Sequence, residues 1–321
     1  MSTRLEAWMA AACLALAPAA PSLAQSYPAR PIHVIVAFAP GGPVDVVARL
    51  TAERLPEILG APVVVENRPS STGNLATQVV AKAPPDGYTI LATSSAFAVN
   101  VSLSANAGYD PHDFAPIIQA ATQPNVIVVN SEFPAKTLAE LLDRAKTMKL
   151  AYASPGAGTT PHLTGEHLFR AIAKLDVVHI PYKGAGPAAA AVAAGEPPIG
   201  SLAVTAPLPF IRSGRLRALA ISSTTRLPLL PDVPTFAELG YPEIEDYTWV
   251  GFFAPAGTAP EVVQKLNAAF NRVLQMPEVR ERLEALTFEP IGGSAQQFAE
   301  YIRAEVAKWA VVVKETGAKL D

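Results

Sequence analysis

Cysteine is almost absent from this chain. The one thiol, Cys13, sits in an apolar N-terminal run, so a chain cut after that run carries none. Such a mature form has no disulfide, no thiolate nucleophile and no cysteine-ligated metal. Charge is scarce too, at 17% of residues with a net value of −3. The one basic cluster, Arg212–Arg217, has no interleaved aromatics, which points away from nucleic acid. No His-Glu-x-x-His, no Gly-x-Ser-x-Gly and no glycine loop closed by Lys-Ser/Thr occurs, so the usual signs of zinc proteases, α/β-hydrolases and P-loop enzymes are missing. Of the five histidines, His162 and His167 stand five apart, roughly 140° around a helix, and share no face. Neither a metal nor a cofactor is expected.

What is present begins with a secretory pattern. Arg4 precedes an apolar run from Ala7 to Leu16, and Ser22-Leu23-Ala24 is a small-x-small cleavage site before Gln25. The run is too short to span a bilayer. Residues 1–24 therefore read as a signal peptide, and the mature protein as soluble and periplasmic.

Proline is abundant, at 31 residues, and mostly separates periodic segments. A buried strand, His33–Ala39, meets Pro40-Gly41-Gly42, and a helix with apolar spacing runs from Pro43 to Leu59. Strands at Pro62–Val65 and Tyr88–Ala92 flank a helix over Leu75–Lys82. After an irregular section the alternation returns, with strands at 125–129, 150–154, 177–180, 199–204 and 216–222 and helices at 137–147, from Pro161 to about Ala173, and at 186–194. A last strand at 249–254 and two long helices, 260–275 and 295–316, close the chain. This order predicts an α/β fold of two halves, each a parallel sheet with helices on its faces. The expected division is a discontinuous lobe 1 over 25–123 plus 249–321, and lobe 2 over 124–248, with a hinged cleft between them.

Two strand-to-helix loops are the candidate site. At Pro40-Gly41-Gly42, glycines admit close approach to the backbone, and the N–H groups of Gly42, Val44 and Asp45 suit an anion. The same residues also fit a plain tight turn, with Asp45 as an acid favourable to the helix start. At Ser154–His162, Gly156-x-Gly158 lacks the third glycine of a dinucleotide loop. Thr159 and Thr160 there suit helix caps or ligand donors equally, and His162 suits ordering of the loop. Ser94 and Ser95 follow a strand with no base nearby in sequence; Phe97, Tyr182 and Trp249 suit a cavity wall or the core. Two helix starts facing one cleft would clamp a carboxylate without a cationic side chain.

The motifs, taken in order, resemble the Bug-type periplasmic receptors of tripartite tricarboxylate transporters across essentially the whole mature chain. They are Pro40-Gly41-Gly42-Pro43-x-Asp45-x-x-Ala48-Arg49, Pro62-Val63-Val64-Val65-Glu66-Asn67-Arg68-Pro69, Pro85-Asp86-Gly87-Tyr88-Thr89, Gly158-Thr159 with His162-Leu163, His179-Ile180-Pro181-Tyr182-Lys183-Gly184, Pro231-Asp232-Val233-Pro234-Thr235 and Ala254-Pro255-Ala256-Gly257-Thr258. The resemblance implies a two-lobed, type II Venus-flytrap periplasmic binding protein, monomeric, that closes on a small carboxylate and delivers it to a membrane permease. It implies that the loops after Ala39 and after Ser154 grip one carboxylate, with Tyr182, Ser201 and Thr205 added to the lining. Three departures bear on the ligand. Val44 stands where threonine is common, Ser70-Ser71-Thr72 where Gly-Ala-Gly is usual, and Ser201-Leu202-Ala203 where many relatives have Phe-Asp-Asn. The lost acid weighs against a ligand with an amino group and leaves dicarboxylates and aromatic acids open. An exported hydrolase using Ser94 or Ser95, and a sensor reporting to a signalling partner, are the alternatives.

Overall fold

The computed structural model describes residues 27–104 and 106–316; the expected signal peptide lies outside them. β1 (Ile32–Val36) is buried at all but one position. It feeds α1 (Pro43–Leu59), which has proline at its first turn and ends on Gly60 in the left-handed region, the arrangement that suits each residue best. β2 (Val63–Asn67), α2 (Asn74–Ala81), β3 (Thr89–Ser94) and α3 (Ala96–Leu103) complete the first βα series. β4 (Phe114–Asn130) is a single 17-residue strand. Then come α4 (Leu138–Ala145), β5 (Leu150–Ser154) and α5 (Thr160–Glu166), the last continuing as a π-helical stretch over His167–Ile172. β6 (Val177–Pro181), α6 (Ala185–Ala194), β7 (Ile199–Ala203), α7 (Leu208–Arg212) and β8 (Leu216–Ile221) follow. The chain closes with β9 (Tyr247–Pro255), α8 (Pro260–Leu274), α9 (Pro277–Glu284), the short β10 (Glu289–Pro290) and α10 (Ala295–Thr316).

The strand order is β2-β1-β3-β9-β4-β7-β5-β6, with β10 and β8 also on β4. β4 belongs to both lobes. Its residues 114–124 pair with β9 in the first sheet, and residues 125–130 pair with β7 and β8 in the second. The lobes are joined by β4 and β9, which pair at Pro124 and Tyr247. The carboxyl ends of β1 and β3 from one lobe and of β5 and β6 from the other meet at the cleft, where open α/β sheets hold ligands.

Lobe 1 has one apolar core built on β1, β3, β9 and α8, including Val34, Leu55, Phe252 and Phe270. α10 is fastened to it by buried Glu305, which accepts hydrogen bonds from the indoles of Trp249 and Trp309 at 3.2 and 3.0 Å. Lobe 2 has a core on each face of its sheet. One is built on Leu141, Tyr152 and Phe169, the other on Val126, Leu202 and the small side chains of α6. Each large apolar side chain buried this way stabilises its lobe by about 1.5–3 kcal/mol. Among the described residues no helix is long and apolar enough to cross a membrane.

Candidate functional site

The first loop is held from behind. Gly41, at φ +83, donates its N–H to the Asp45 carboxylate at 3.1 Å. Asp45 is 4% exposed and also accepts from Arg49 Nε at 2.9 Å and Asn67 Nδ2 at 2.8 Å. The same Asn67 amide reaches Phe38 O at 3.0 Å. The Asp45 side chain therefore shapes the turn, and its backbone N–H, in the first turn, has no acceptor within the helix. Asp45→Asn is expected to weaken three contacts at once. A loss of about 1–3 kcal/mol in urea unfolding checks this, and an unchanged midpoint would remove Asp45 from the support of the loop.

Gly42 is the N-cap of α1 and no side chain caps it. Val44 and Asp45 lie in the first helical turn, so their N–H groups have no acceptor within the helix, and Pro43 has none to offer. This end carries the positive pole of a 17-residue helix.

The second loop is organised differently. Ser154 Oγ accepts the Gly156 N–H at 3.1 Å and lies 2.6 Å from His179 Nε2. Ala157 donates across the cleft to Ser71 O at 2.9 Å, and Thr159 to Gly156 O. The Gly158 N–H goes to His162 Nδ1 at 3.1 Å, which fixes that nitrogen as the bare one. Thr159 Oγ1 caps the His162 N–H, and Ser95 Oγ accepts the Thr160 N–H at 3.1 Å. Every backbone N–H from Gly156 to Thr160 thus has an acceptor within the chain. His162 and His179 stack with ring centroids 4.0 Å apart. Burial, and then the charge of Arg170, holds His162 down to about 4. Burial, then His162 and Arg170, holds His179 down to about 3. Ser154 and His179 stand as close as a nucleophile and its base. Yet Ser154 is fully buried, and among the described residues no carboxylate orients the other ring nitrogen of His179.

A third loop, which sequence reasoning missed, completes the cleft. Tyr182 donates its N–H to Ser154 O, and Lys183 O accepts the Ala39 N–H at 2.8 Å across the lobes. Gly184 is the N-cap of α6, again with no side-chain cap. The Ala185 and Gly186 N–H groups are first-turn orphans, and Pro187 follows. This start packs against the start of α1: a Cβ on Gly42 would sit 3.4 Å from Ala185 N, and one on Gly186 2.4 Å from Pro40 O. The signal was legible, since Gly184-Ala185-Gly186-Pro187, like Gly41-Gly42-Pro43, places two glycines just before a proline at a strand-to-helix turn.

The other candidates are dispersed. Ser94 is buried at the end of β3. Ser201 donates to Pro161 O at 2.5 Å, behind the second loop. Thr205 donates to Gln123 Oε1 at 2.6 Å and lies 2.8 Å from Leu286 O, bridging the lobes. Tyr182 packs on the α6 cluster, and its hydroxyl reaches Glu196 O on the flank of lobe 2 at 3.2 Å. Phe97 and Trp249 are core, 1% and 0% exposed. Lys183 is exposed, and no other lysine or arginine lies in these loops.

Comparison with known proteins adds the following. The family model described as "Tripartite tricarboxylate transporter family receptor" matches residues 47–318. Protein BugT of Bordetella pertussis is 41% identical over 307 residues, covering 94% of each chain. Among solved structures, an R. palustris protein with adipate is 34% identical at a TM-score of 0.87, covering 92% of this chain and all of that one. MatC from Rhodopseudomonas palustris with bound malate is 33% identical at 0.85, covering 89% of this chain and all of that one.

Proposed function

Because the chain belongs to the tripartite tricarboxylate transporter receptor family, we propose that it is a periplasmic receptor that closes on a small carboxylate and hands it to the membrane permease of such a transporter. The observation that carries the ligand class is the meeting of two bare helix starts. α1 and α6 each begin on an uncapped glycine, and they abut across the cleft with no cationic side chain between them. Two positive helix poles facing each other repel unless an anion lies at both. The N–H groups of Gly42, Val44, Asp45, Ala185 and Gly186 are five donors for it. Charge-assisted bonds of about 1.5–3 kcal/mol each make three or four of them sufficient for the roughly 8 kcal/mol of micromolar binding.

The second loop in this reading is a support, because its own N–H groups are already used. Binding favours closure because only the closed form brings both poles to the anion. The relatives with adipate and malate make dicarboxylates the first ligands to try. The apolar Leu202-Ala203, in place of an acid, keeps monocarboxylates such as benzoate in the set.

A thermal-shift series of the mature protein with malate, adipate and benzoate tests this. A ligand present at a hundredfold its Kd adds about 2.7 kcal/mol of stability and raises Tm. Gly42→Val is expected to suppress the shift, since its branches enter the 3.4 Å gap to Ala185 N. Conversion of a stabilising acid to product would overturn the binding-only reading. An undiminished shift in the variant would move the site elsewhere.

A further inference from the structure

Ser95, a candidate for the cleft lining, and Thr160, which suits a cap or a ligand donor, hydrogen-bond to each other. Ser95 is the N-cap of α3 in lobe 1, yet its side chain caps nothing in its own helix. Its Oγ accepts the N–H of Thr160, the first residue of α5 in lobe 2. One lobe therefore caps a helix of the other.

The contact continues inward with a single direction. Thr248 gives its hydroxyl proton to Asn125 Oδ1 at 2.7 Å. In the 2.8 Å pair of Thr160 and Thr248 hydroxyls, Thr160 must therefore be the donor. Ser95 Oγ lies 3.4 Å from Thr160 Oγ1 and donates to it while accepting the Thr160 N–H. At the far end Asn125 Nδ2 bonds the Asp246 carboxylate, which also accepts from the Thr164 hydroxyl at 2.6 Å. Every proton in the chain points toward Asp246, and aligned hydrogen bonds of this kind strengthen one another. Ser95, Asn125, Thr160, Thr164 and Thr248 are all buried, at 3% exposure or less. Asn125 lies on β4, and Asp246 and Thr248 lie at the start of β9, so the chain runs along the two strands that join the lobes.

We infer that Ser95, Thr160 and Thr248 form a latch across the hinge that holds the closed lobes, with Asn125 and Asp246 fixing its polarity. They are positioning residues: their polar groups are engaged with one another and with Asn125, and they set the fraction of protein that is closed. Their effect on affinity rests on the reading of the cleft as a carboxylate site; their effect on closure does not. Opening must break the cross-lobe cap and expose the Thr160 N–H, whereas the contacts from Asn125 to Asp246 stay within the hinge.

The test uses the full mature protein and Ser95→Ala, Thr248→Val and Thr160→Ser. Site-resolved hydrogen exchange of the Thr160 amide is measured first, without ligand. Ser95→Ala and Thr248→Val are expected to speed it about threefold to tenfold, the worth of one net hydrogen bond. Thr160→Ser keeps both the hydroxyl and the N–H and should leave it unchanged. Calorimetric titration with malate and adipate comes second, and the first two variants should lose affinity by less than the exchange factor, since exchange follows the open fraction and affinity the closed one. Unchanged exchange in Ser95→Ala, or equal damage from Thr160→Ser, overturns the latch. If neither acid binds the wild type, the exchange arm still decides the latch, and only the ligand reading falls.

Discussion

Gly186→Ala is expected to weaken carboxylate binding about a hundredfold while leaving the protein folded. Gly186 lies in the first turn of α6, at a backbone angle that alanine adopts freely. In isolation the change favours the helix by up to about 1 kcal/mol. The added methyl would nonetheless sit 2.4 Å from Pro40 O, a backbone atom of the opposite lobe with no rotamer to yield. Overlap of that kind costs about 3 kcal/mol or more, roughly a hundredfold in affinity. The whole cost falls on the closed form, because the two loops separate on opening. Calorimetric titration with malate and adipate, beside urea unfolding without ligand, checks both halves. The expected pair is a loss of about a hundredfold in affinity with unfolding free energy held to within about 1 kcal/mol. Unchanged affinity would mean that α1 and α6 do not meet around the ligand.

The contrast with Gly42 shows why close approach is built into both starts. Gly42 has an ordinary φ of −93 and tolerates a side chain in its own backbone. What forbids bulk there is the 3.4 Å to Ala185 N. The glycines of both loops are needed for the partner's proximity as well as for the turn, and this cannot be seen from either loop alone.

That limit describes what was legible in the sequence. The strand Leu150–Ser154 and the helices of 43–59 and 295–316 fall where periodicity and proline place them. The first half of β4 falls in the section that reads as irregular in the sequence, and it contains Pro116 and Pro124. The strand absorbs the first at a register shift beside Pro116 and carries another at Gln119 and Ala121. α3 was missed for the opposite reason: it is apolar nearly all round, so no stripe marks it. The helix expected from Pro161 to about Ala173 turns π-helical after Glu166. In the site, residue type identified donors but could not say which were already spent. Thr159 and Thr160 fitted cap and ligand roles equally; in the fold Thr159 caps the His162 N–H, while Thr160 is itself capped by Ser95 from the other lobe. Tyr182 sat in a well-marked motif, yet its phenol lies on the flank while the backbone of the next residue bridges the lobes.

Acid is expected to unfold the protein through the stacked histidine pair. His162 and His179 are held near 4 and near 3, mainly by burial, against about 6.5 for a free imidazole. Between these values the unfolded chain binds protons that the folded chain refuses. Stability therefore rises with pH across the window, and the benefit is complete above about pH 6.5. On acidification it is lost progressively, until the folded form itself accepts the protons near pH 3–4. At 1.36 kcal/mol per unit, drops of about 2.5 and about 3.5 units are together worth up to about 8 kcal/mol. The cause is local. His162 Nδ1 accepts the Gly158 N–H, and a proton on that nitrogen would set donor against donor. Gly158 is the residue whose Cβ position lies 1.8 Å from Asn100 Oδ1 of lobe 1, so disturbing it also disturbs the closed seam. Urea unfolding at about pH 7 and about pH 4.5 measures the loss. His162→Asn separates the cause, since its amide oxygen can take the Gly158 bond without titrating. Its stability should fall about half as steeply between the two conditions, because only His179 still refuses a proton. A slope equal to that of the wild type would mean that the buried pair does not govern the acid limit and that the carboxylates do.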